Sequence, residues 1–164
     1  MSESKREVRV IHPHNHGWFE IKLSTQEIDY LWKCVDNRKE SYKDRLAGLI
    51  HESNVLVDED DWFWKNTLYP LVQQYAYEIE NVGSNVPVNQ YHPYYLQSMW
   101  VNYQKQTEFN PLHDHGGVYS FVIWIKIPTR HFEQNKNPIA LKSNHPKLST
   151  FEFRYLNTLG QIKE

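Results

Sequence analysis

The sequence is poor in cysteine and has no excess of charge of either sign. Cys34 is the single cysteine, which excludes an intramolecular disulfide and a cysteine-based zinc site. We expect it to lie inside a helix as a small apolar residue. Lys and Arg number 18 against 20 Asp and Glu, a balance that argues against nucleic-acid binding and against a basic membrane-binding face. Gly-rich phosphate loops and nucleophile elbows are also missing.

Long apolar runs are absent too. No run reaches the roughly 18 residues of a transmembrane helix, and the polar first residues lack the apolar core of a signal peptide. We therefore expect a cytoplasmic protein. The length of 164 residues excludes a (β/α)₈ barrel, which takes about 250 residues, and predicts a single domain over 1–164. Aromatic residues make up 15% of the chain, which favours a folded protein over a disordered one.

The first half of the chain predicts helices. Ser24 with Glu27 three residues later forms a capping box ahead of apolar residues at helical spacing. A second short helix is predicted within 42–51. A third begins near Asp58, in an acidic cluster suited to a helix N-terminus, and Pro70 predicts a kink or break in it. The apolar positions of the first helix are Ile28, Leu31, Trp32 and Val35, and those of the third are Trp64, Leu68, Leu71, Val72, Tyr75 and Ile79.

Strand-like segments stand at both ends of the helical region. Alternating apolar and polar residues predict short strands within 8–23 and longer ones at 96–104, 118–127 and 148–156. Helices and strands that are grouped in sequence, without alternation between them, indicate an antiparallel α+β fold.

Two histidines form the most informative pattern. His113 and His115 follow a predicted strand and precede two glycines. Residues two apart share a face of extended backbone, so both imidazoles can reach one metal ion. Imidazole suits zinc, iron, copper or nickel, and the spacing does not choose among them. The alternative interpretation is a polar surface turn with two solvated histidines.

The residues around this pair carry a resemblance to a known family. Met99-Trp-Val-Asn-Tyr-Gln, followed by Glu108-Phe-Asn-Pro-Leu-His-Asp-His-Gly-Gly-Val-Tyr-Ser-Phe-Val-Ile-Trp-Ile-Lys-Ile-Pro128, resembles the 2-oxoglutarate/Fe(II)-dependent oxygenase superfamily. The similarity is greatest to a branch from marine phages and bacteria. It covers roughly residues 40–160, because the segments that begin at Arg45 and at Phe151 also look like that branch.

The resemblance implies a fold and a reaction. The fold would be a double-stranded β-helix, a cupin-like jelly roll, with helical support from 24–82 and strands from 8–23 and 95–160. Fe(II) and 2-oxoglutarate would be the cofactors, and oxidative hydroxylation of a small molecule or a peptide would be the reaction.

The resemblance also implies roles for particular residues. His113 matches the first iron ligand, and His115 stands where the family has a carboxylate ligand. Asp114 lies one residue before the position at which the family has its carboxylate ligand, so on an extended strand its side chain would point away from His113. It is therefore expected to support the metal ligands from outside or to act as an alternative ligand. Asn102 and Tyr103 are expected to contact 2-oxoglutarate, with core packing as the alternative for Tyr103. Lys126 would bind a cofactor carboxylate or extend from a sheet face into solvent.

The C-terminal part departs from the family pattern. The distal iron-binding histidine and the arginine that binds 2-oxoglutarate are not found after the last predicted strand. His131 and His145 fall in predicted loops, and Arg154 lies on a strand too early to match. We therefore expect a jelly roll that is incomplete at its C-terminus, and an oxygenase that is weakened or inactive.

Two alternative interpretations follow from this departure. The chain could be a non-catalytic binding or assembly module that forms a homodimer through exposed strand edges. It could also be a fragment of a longer oxygenase. A second histidine cluster, His12, His14 and His16, is expected to be a polar turn, with donation of a third metal ligand as its alternative.

Overall fold

The computed structural model describes residues 17–79, 93–142, 144, 148–157 and 159–164. The chain divides into two compact units, one over Trp18–Ile123 and one that includes Trp124–Glu164. No helix in the described ranges is both long and apolar enough to cross a membrane. The helices and strands, in chain order, are α1 (Thr25–Asp36), β1 (Glu52–Leu56), α2 (Tyr69–Glu78), β2 (Met99–Tyr103), α3 (His131–Gln134), α4 (Pro138–Leu141), β3 (Tyr155–Leu156) and β4 (Ile162–Lys163).

The predicted capping box at the start of α1 is confirmed. The Glu27 backbone N–H donates to Ser24 Oγ at 3.3 Å, and the Ser24 N–H donates to Glu27 Oε2 at 2.6 Å. The second carboxylate oxygen of Glu27 accepts a hydrogen bond from the buried hydroxyl of Thr67 at 2.7 Å. One glutamate therefore caps α1 and joins it to the next helical segment. The buried residues of α1 are Leu31, Cys34 and Val35, and the predicted helical position of Cys34 is confirmed.

The helix predicted within 42–51 is wrong beyond its first turn. A 3₁₀ turn covers Lys43–Arg45, and the chain is then extended. Leu49 pairs with Phe109, each backbone N–H donating to the other's carbonyl at 2.9 and 3.2 Å. Ile50 is buried while Leu49 is 61% exposed. Pairing with a segment 60 residues away in sequence overrides the local helical pattern.

The third predicted helix begins as expected at the acidic cluster. The Asp58 carboxylate accepts hydrogen bonds from the backbone N–H groups of Phe63 and Trp64, both at 2.8 Å. It also accepts a hydrogen bond from the hydroxyl of Tyr30 at 2.6 Å. These interactions satisfy N–H groups that the start of a helix leaves unpaired. Asp58 thus connects α1 to this helix, and the Tyr30 ring stacks on Trp62 at 4.5 Å.

A break at Pro70 is not found, because the helix continues through it to Glu78, and the alternative of a kink stays a prediction. A π-helical turn over Trp64–Leu68 precedes α2, and Pro70 lies in the first turn of α2. Proline cannot donate a backbone hydrogen bond and collides with the carbonyl four residues earlier in a regular helix. A wider π-helical turn at this point allows the helix to continue.

A small antiparallel sheet joins distant parts of the first unit. β1 pairs with β2 from Glu52↔Tyr103 to Leu56↔Met99. On the other side of β1, the extended chain around Ser41 forms an isolated bridge to Asn54, with backbone hydrogen bonds of 2.9–3.0 Å to Ser53 and Val55. The strand predicted at 96–104 is therefore confirmed over Met99–Tyr103.

The second unit has short elements. β3 pairs with β4 in an antiparallel hairpin, and Arg154 forms ion pairs with Glu152 at 3.4 Å and Glu164 at 2.9 Å. The rings of Trp124, Phe151 and Phe153 meet edge to face at 5.1 and 4.9 Å. Of the strand predicted at 148–156, only Tyr155–Leu156 is found.

Two of the predicted strands are not assigned as strands in the described residues. The segments 17–23 and 118–127 contain no assigned strand, and residues 8–16 of the first predicted pair lie outside the described part. The α+β jelly roll stays a prediction, since the described strands form two separate two-stranded sheets.

Replacing Asp58 with alanine removes the acceptor of three hydrogen bonds. We expect Asp58→Ala to lower the free energy of unfolding by about 2–3 kcal/mol, because buried N–H donors lose a charged acceptor. Chemical denaturation measures this. Asp44→Ala, in the exposed 3₁₀ turn, is the control and should change stability by less than about 0.5 kcal/mol. Equal effects of the two substitutions would contradict this role of Asp58.

Glu27 predicts a dependence of stability on pH. Burial opposes ionisation of its carboxyl, but hydrogen bonds from Ser24 and Thr67 outweigh it and hold the pKa below the ordinary 4.5. A lowered folded-state pKa contributes stability above pH 4.5 that is lost as the pH falls through the folded-state pKa. Denaturation between about pH 6 and pH 3 should therefore show a shallower loss of stability in Glu27→Gln than in the wild type. Identical slopes would refute this.

Candidate functional site

The site is built on the face of the sheet that carries Trp100. Side chains alternate across a strand, and directly paired residues in an antiparallel sheet share a face. Trp100 and Asn102 of β2 therefore lie on one face with their β1 partners, Val55 and Ser53. The Ser53 hydroxyl, 1% exposed, donates to Asn102 Oδ1 at 2.8 Å. This part-buried hydrogen bond ties the two strands together at the end of β2 that leads to the histidines.

A tight turn follows β2 and sets the direction of the chain. The Glu108 carboxylate accepts the backbone N–H of Lys105 at 2.8 Å. This hydrogen bond, with one from the backbone of His51, holds the pKa of Glu108 below its ordinary value. Gln104 Nε2 donates to the Glu108 carbonyl at 2.5 Å. Hydrogen bonds within the turn therefore fix its conformation and place Phe109 where it pairs with Leu49.

Gly48 and Asn110 come into close contact just before the histidine motif. A Cβ atom on Gly48 would lie 1.8 Å from Asn110 Oδ1 and 2.9 Å from its Cγ. Only glycine leaves room for the Asn110 side chain in this position. The Leu49–Phe109 bridge and this contact together fix the start of the segment that carries His113.

The structure brings the two predicted metal ligands together. The ring centroids of His113 and His115 are 4.7 Å apart, with an angle of 58° between the planes.

His113 Nδ1 lies 2.7 Å from the Pro111 carbonyl oxygen. A carbonyl can only accept, so Nδ1 carries the proton, and the lone pair of the neutral ring is on Nε2. Metal-binding histidines commonly use this arrangement, in which one ring nitrogen donates to a carbonyl and the other binds the ion.

His115 is in contact with an aromatic stack. Its ring lies 6.5 Å from the Trp100 ring, at 20° to it. On Trp100, the Tyr42 ring stacks at 4.9 Å and 18°, and the Arg45 guanidinium lies 5.4 Å from the centre of the Tyr42 ring. We call Arg45, Tyr42 and Trp100 the aromatic stack. It is held by the sheet, because Tyr42 N–H donates to the Ser53 carbonyl at 2.9 Å.

The predicted cofactor contacts fall in different places. Asn102 lies on the Trp100 face, whereas Tyr103 is on the opposite face of β2, with the Arg38 guanidinium 5.5 Å above its half-buried ring. Asp114 is exposed between the two histidines, and Lys126 is exposed in the second unit. The first unit therefore groups His113 and His115 with the Trp100 face but places Tyr103 away from it.

A third metal ligand is not found among the described residues, which contain no group of three or more His, Cys, Asp or Glu side chains able to hold an ion. His131 is exposed in α3, and Arg154 is engaged with Glu152 and Glu164. His145 and the cluster His12, His14 and His16 lie outside the described residues.

Sequence reasoning did not assign roles to Gly48 and to the aromatic stack. Gly48 lies inside a segment that predicts a helix, so its contact with Asn110 depends on an unpredicted pairing. Tyr42 and Trp100 are 58 residues apart, and only the Tyr42–Ser53 and β1–β2 pairings bring them together. The one available signal for the stack in the sequence was Trp100, which lies two positions before Asn102 and therefore on the same face of the predicted strand.

Comparison of the chain with protein-family models, with curated proteins and with solved structures gives no match.

The contact between Gly48 and Asn110 predicts a specific coupling. Gly48→Ala should lower the free energy of unfolding by about 0.5–1.5 kcal/mol, because the new methyl group forces the exposed Asn110 side chain out of its present rotamer. Adding Asn110→Ala should recover most of this loss, and a double-mutant cycle by chemical denaturation measures the coupling. Gly116→Ala is the matched control, since a Cβ there meets nothing within 4 Å. Strict additivity of Gly48→Ala and Asn110→Ala would contradict the proposed contact.

Proposed function

We propose that this chain is a jelly-roll domain of the 2-oxoglutarate/Fe(II) oxygenase type, in which His113 and His115 bind the iron. The observation that carries the proposal is the pair of imidazole rings 4.7 Å apart, with the Nδ1 proton of His113 engaged by Pro111. Both side chains are exposed, and the hydrogen bond at Nδ1 leaves Nε2 of His113 available to an ion. The resemblance of the Met99–Pro128 block supports the choice of iron among the metals that imidazole binds.

The donor set fits part of such a centre. Neutral imidazole is a good ligand for Fe(II), and His113 presents Nε2 for it. Two protein ligands leave the third position to Asp114, to a residue outside the described part, or to solvent. A site with two imidazoles binds iron more weakly than a complete triad, so the proposed enzyme is a weak one.

The other residues of the proposed site are those expected to contact 2-oxoglutarate. When bound, Fe(II) and 2-oxoglutarate let O₂ hydroxylate a C–H bond of the substrate, with succinate and CO₂ as the other products. Asn102 Oδ1 already accepts from Ser53, which leaves its amide N–H groups as donors to a carboxylate. For Lys126 the proposal rests on the resemblance alone. For Tyr103, its place under Arg38 favours core packing.

The substrate is proposed to be a small molecule or a peptide, modified in the cytoplasm. The balanced charge of the chain supports neither nucleic acid nor an anionic membrane surface as partner.

Metal titration tests the proposal directly. Calorimetry with Ni(II), and with Fe(II) under anaerobic conditions, should show one ion bound per chain, and binding should tighten when 2-oxoglutarate is present. His113→Ala and His115→Ala should each abolish it, because one imidazole cannot hold the ion. His131→Ala is the matched control and should bind as the wild type does. Absence of binding, or binding that survives both histidine substitutions, would overturn the proposal.

A second candidate function is that of a homodimeric binding or assembly module. The observation that favours it is the segment 118–127, whose backbone makes no hydrogen bond to the backbone of any described residue outside it. Phe121, Val122 and Trp124 in it are 39%, 47% and 57% exposed. An exposed apolar segment whose backbone is not paired with another strand can add to a strand of a second chain.

A second copy of the same segment suits this edge. In antiparallel pairing across a twofold axis, opposed residues share a face. The segment has one charged residue in ten, Lys126, so pairing about Val122 or Ile123 opposes no like charges.

Sedimentation at micromolar concentration tests this second candidate. The wild type should be a dimer, and Val122→Lys should shift it to monomer by placing a charge in the paired edge. Ile139→Lys, an exposed apolar residue in α4, is the matched control and should leave the dimer intact. A monomeric wild type would contradict the dimer hypothesis and would leave the oxygenase proposal untouched.

A further inference from the structure

The two histidines of the proposed site are oriented by different interactions. The His113 ring is fixed by its hydrogen bond to the Pro111 carbonyl, 2.7 Å away. His115 makes no hydrogen bond to a described residue, and its ring instead lies nearly parallel to Trp100 at 6.5 Å. That separation is within the range in which aromatic rings attract one another. Besides the His113 ring at 4.7 Å, the Trp100 ring is therefore a contact that can restrict rotation of the exposed His115 side chain.

Trp100 is held in place by contacts of both its backbone and its side-chain ring. Its backbone pairs in register with Val55 of β1. Tyr42 stacks on its ring at 4.9 Å, and Arg45 lies over Tyr42. Tyr42 is anchored in turn by its backbone hydrogen bond to Ser53. The Trp100 ring is thus a fixed surface, whereas the loop that carries His115 is exposed.

We propose that Trp100 is a positioning residue for the metal site, and that stacking on its ring holds the His115 imidazole in the orientation in which it shares an ion with His113. The inference rests on the proposed function, since it assigns His115 as a ligand. Interactions that orient a metal ligand typically contribute tenfold to a hundredfold in metal affinity. An aromatic ring at position 100 is what matters in this role, and an aliphatic residue of good strand propensity cannot replace it.

Two substitutions separate the role of the ring from its role in folding. Trp100→Phe keeps a ring and should retain Ni(II) affinity within about threefold, whereas Trp100→Val should weaken it by about tenfold to a hundredfold. Both are acceptable in a strand, and thermal unfolding confirms that each variant is folded. Trp18→Val, a half-exposed tryptophan outside the site, is the matched control and should bind as the wild type does.

Fluorescence gives an independent signature. Bound Cu(II) quenches tryptophans that are close to it, so the wild type should lose the part of its emission that Trp100 contributes among six tryptophans. Trp100→Phe should bind the ion but lose that quenched component. Quenching of the same size in Trp100→Phe would place the ion away from Trp100 and overturn the inference.

A measurement on the metal-free protein completes the test. The ring current of Trp100 should shift the proton resonances of the His115 imidazole, and the shift should differ in Trp100→Val. Should the wild type fail to bind Ni(II) or Cu(II), the proposed function fails. Should it bind through both histidines with equal affinity in Trp100→Val, the positioning role alone fails.

Discussion

The pairing of β1 with β2 is the constraint on which the first unit depends. Five residue pairs, from Glu52↔Tyr103 to Leu56↔Met99, join segments that lie 43 to 51 residues apart in sequence. The buried hydroxyl of Ser53 adds a hydrogen bond to Asn102 between the two strands. Leaving this hydroxyl without a partner would cost about 1–3 kcal/mol. This pairing decides which face Trp100 occupies, and therefore where the aromatic stack and His115 can meet.

Two carboxylate side chains connect α1 with the helical segment that follows Asp58. Glu27 caps α1 and accepts from Thr67 in the π-helical turn, while Asp58 caps the following helix and accepts from Tyr30 of α1. Each therefore satisfies a helix end and a tertiary contact with one group. Such shared acceptors make the two helical segments mutually dependent, because loss of one carboxylate leaves donors unpaired on both.

The predictions that held are those governed by interactions within a few residues. The capping box at Ser24, the acidic helix start at Asp58 and the alternation that indicates a strand over Met99–Tyr103 are sequence signals of this local kind, and the structure confirms them. The helix predicted within 42–51 is wrong beyond Arg45, because the Leu49–Phe109 bridge competes with it and is invisible to local periodicity.

For the candidate site, the sequence by itself determined the side-chain type and the spacing of His113 and His115. That was enough to expect two imidazoles on one side of the chain, since extended backbone has a period of two. Tertiary structure decided the rest. The approach of the His115 ring to Trp100 and the stacking of Tyr42 on Trp100 follow from the β1–β2 pairing and from the bridges at Ser41 and Leu49. These depend on which distant segments pair, and a contact of that kind leaves no periodic signal in either segment alone.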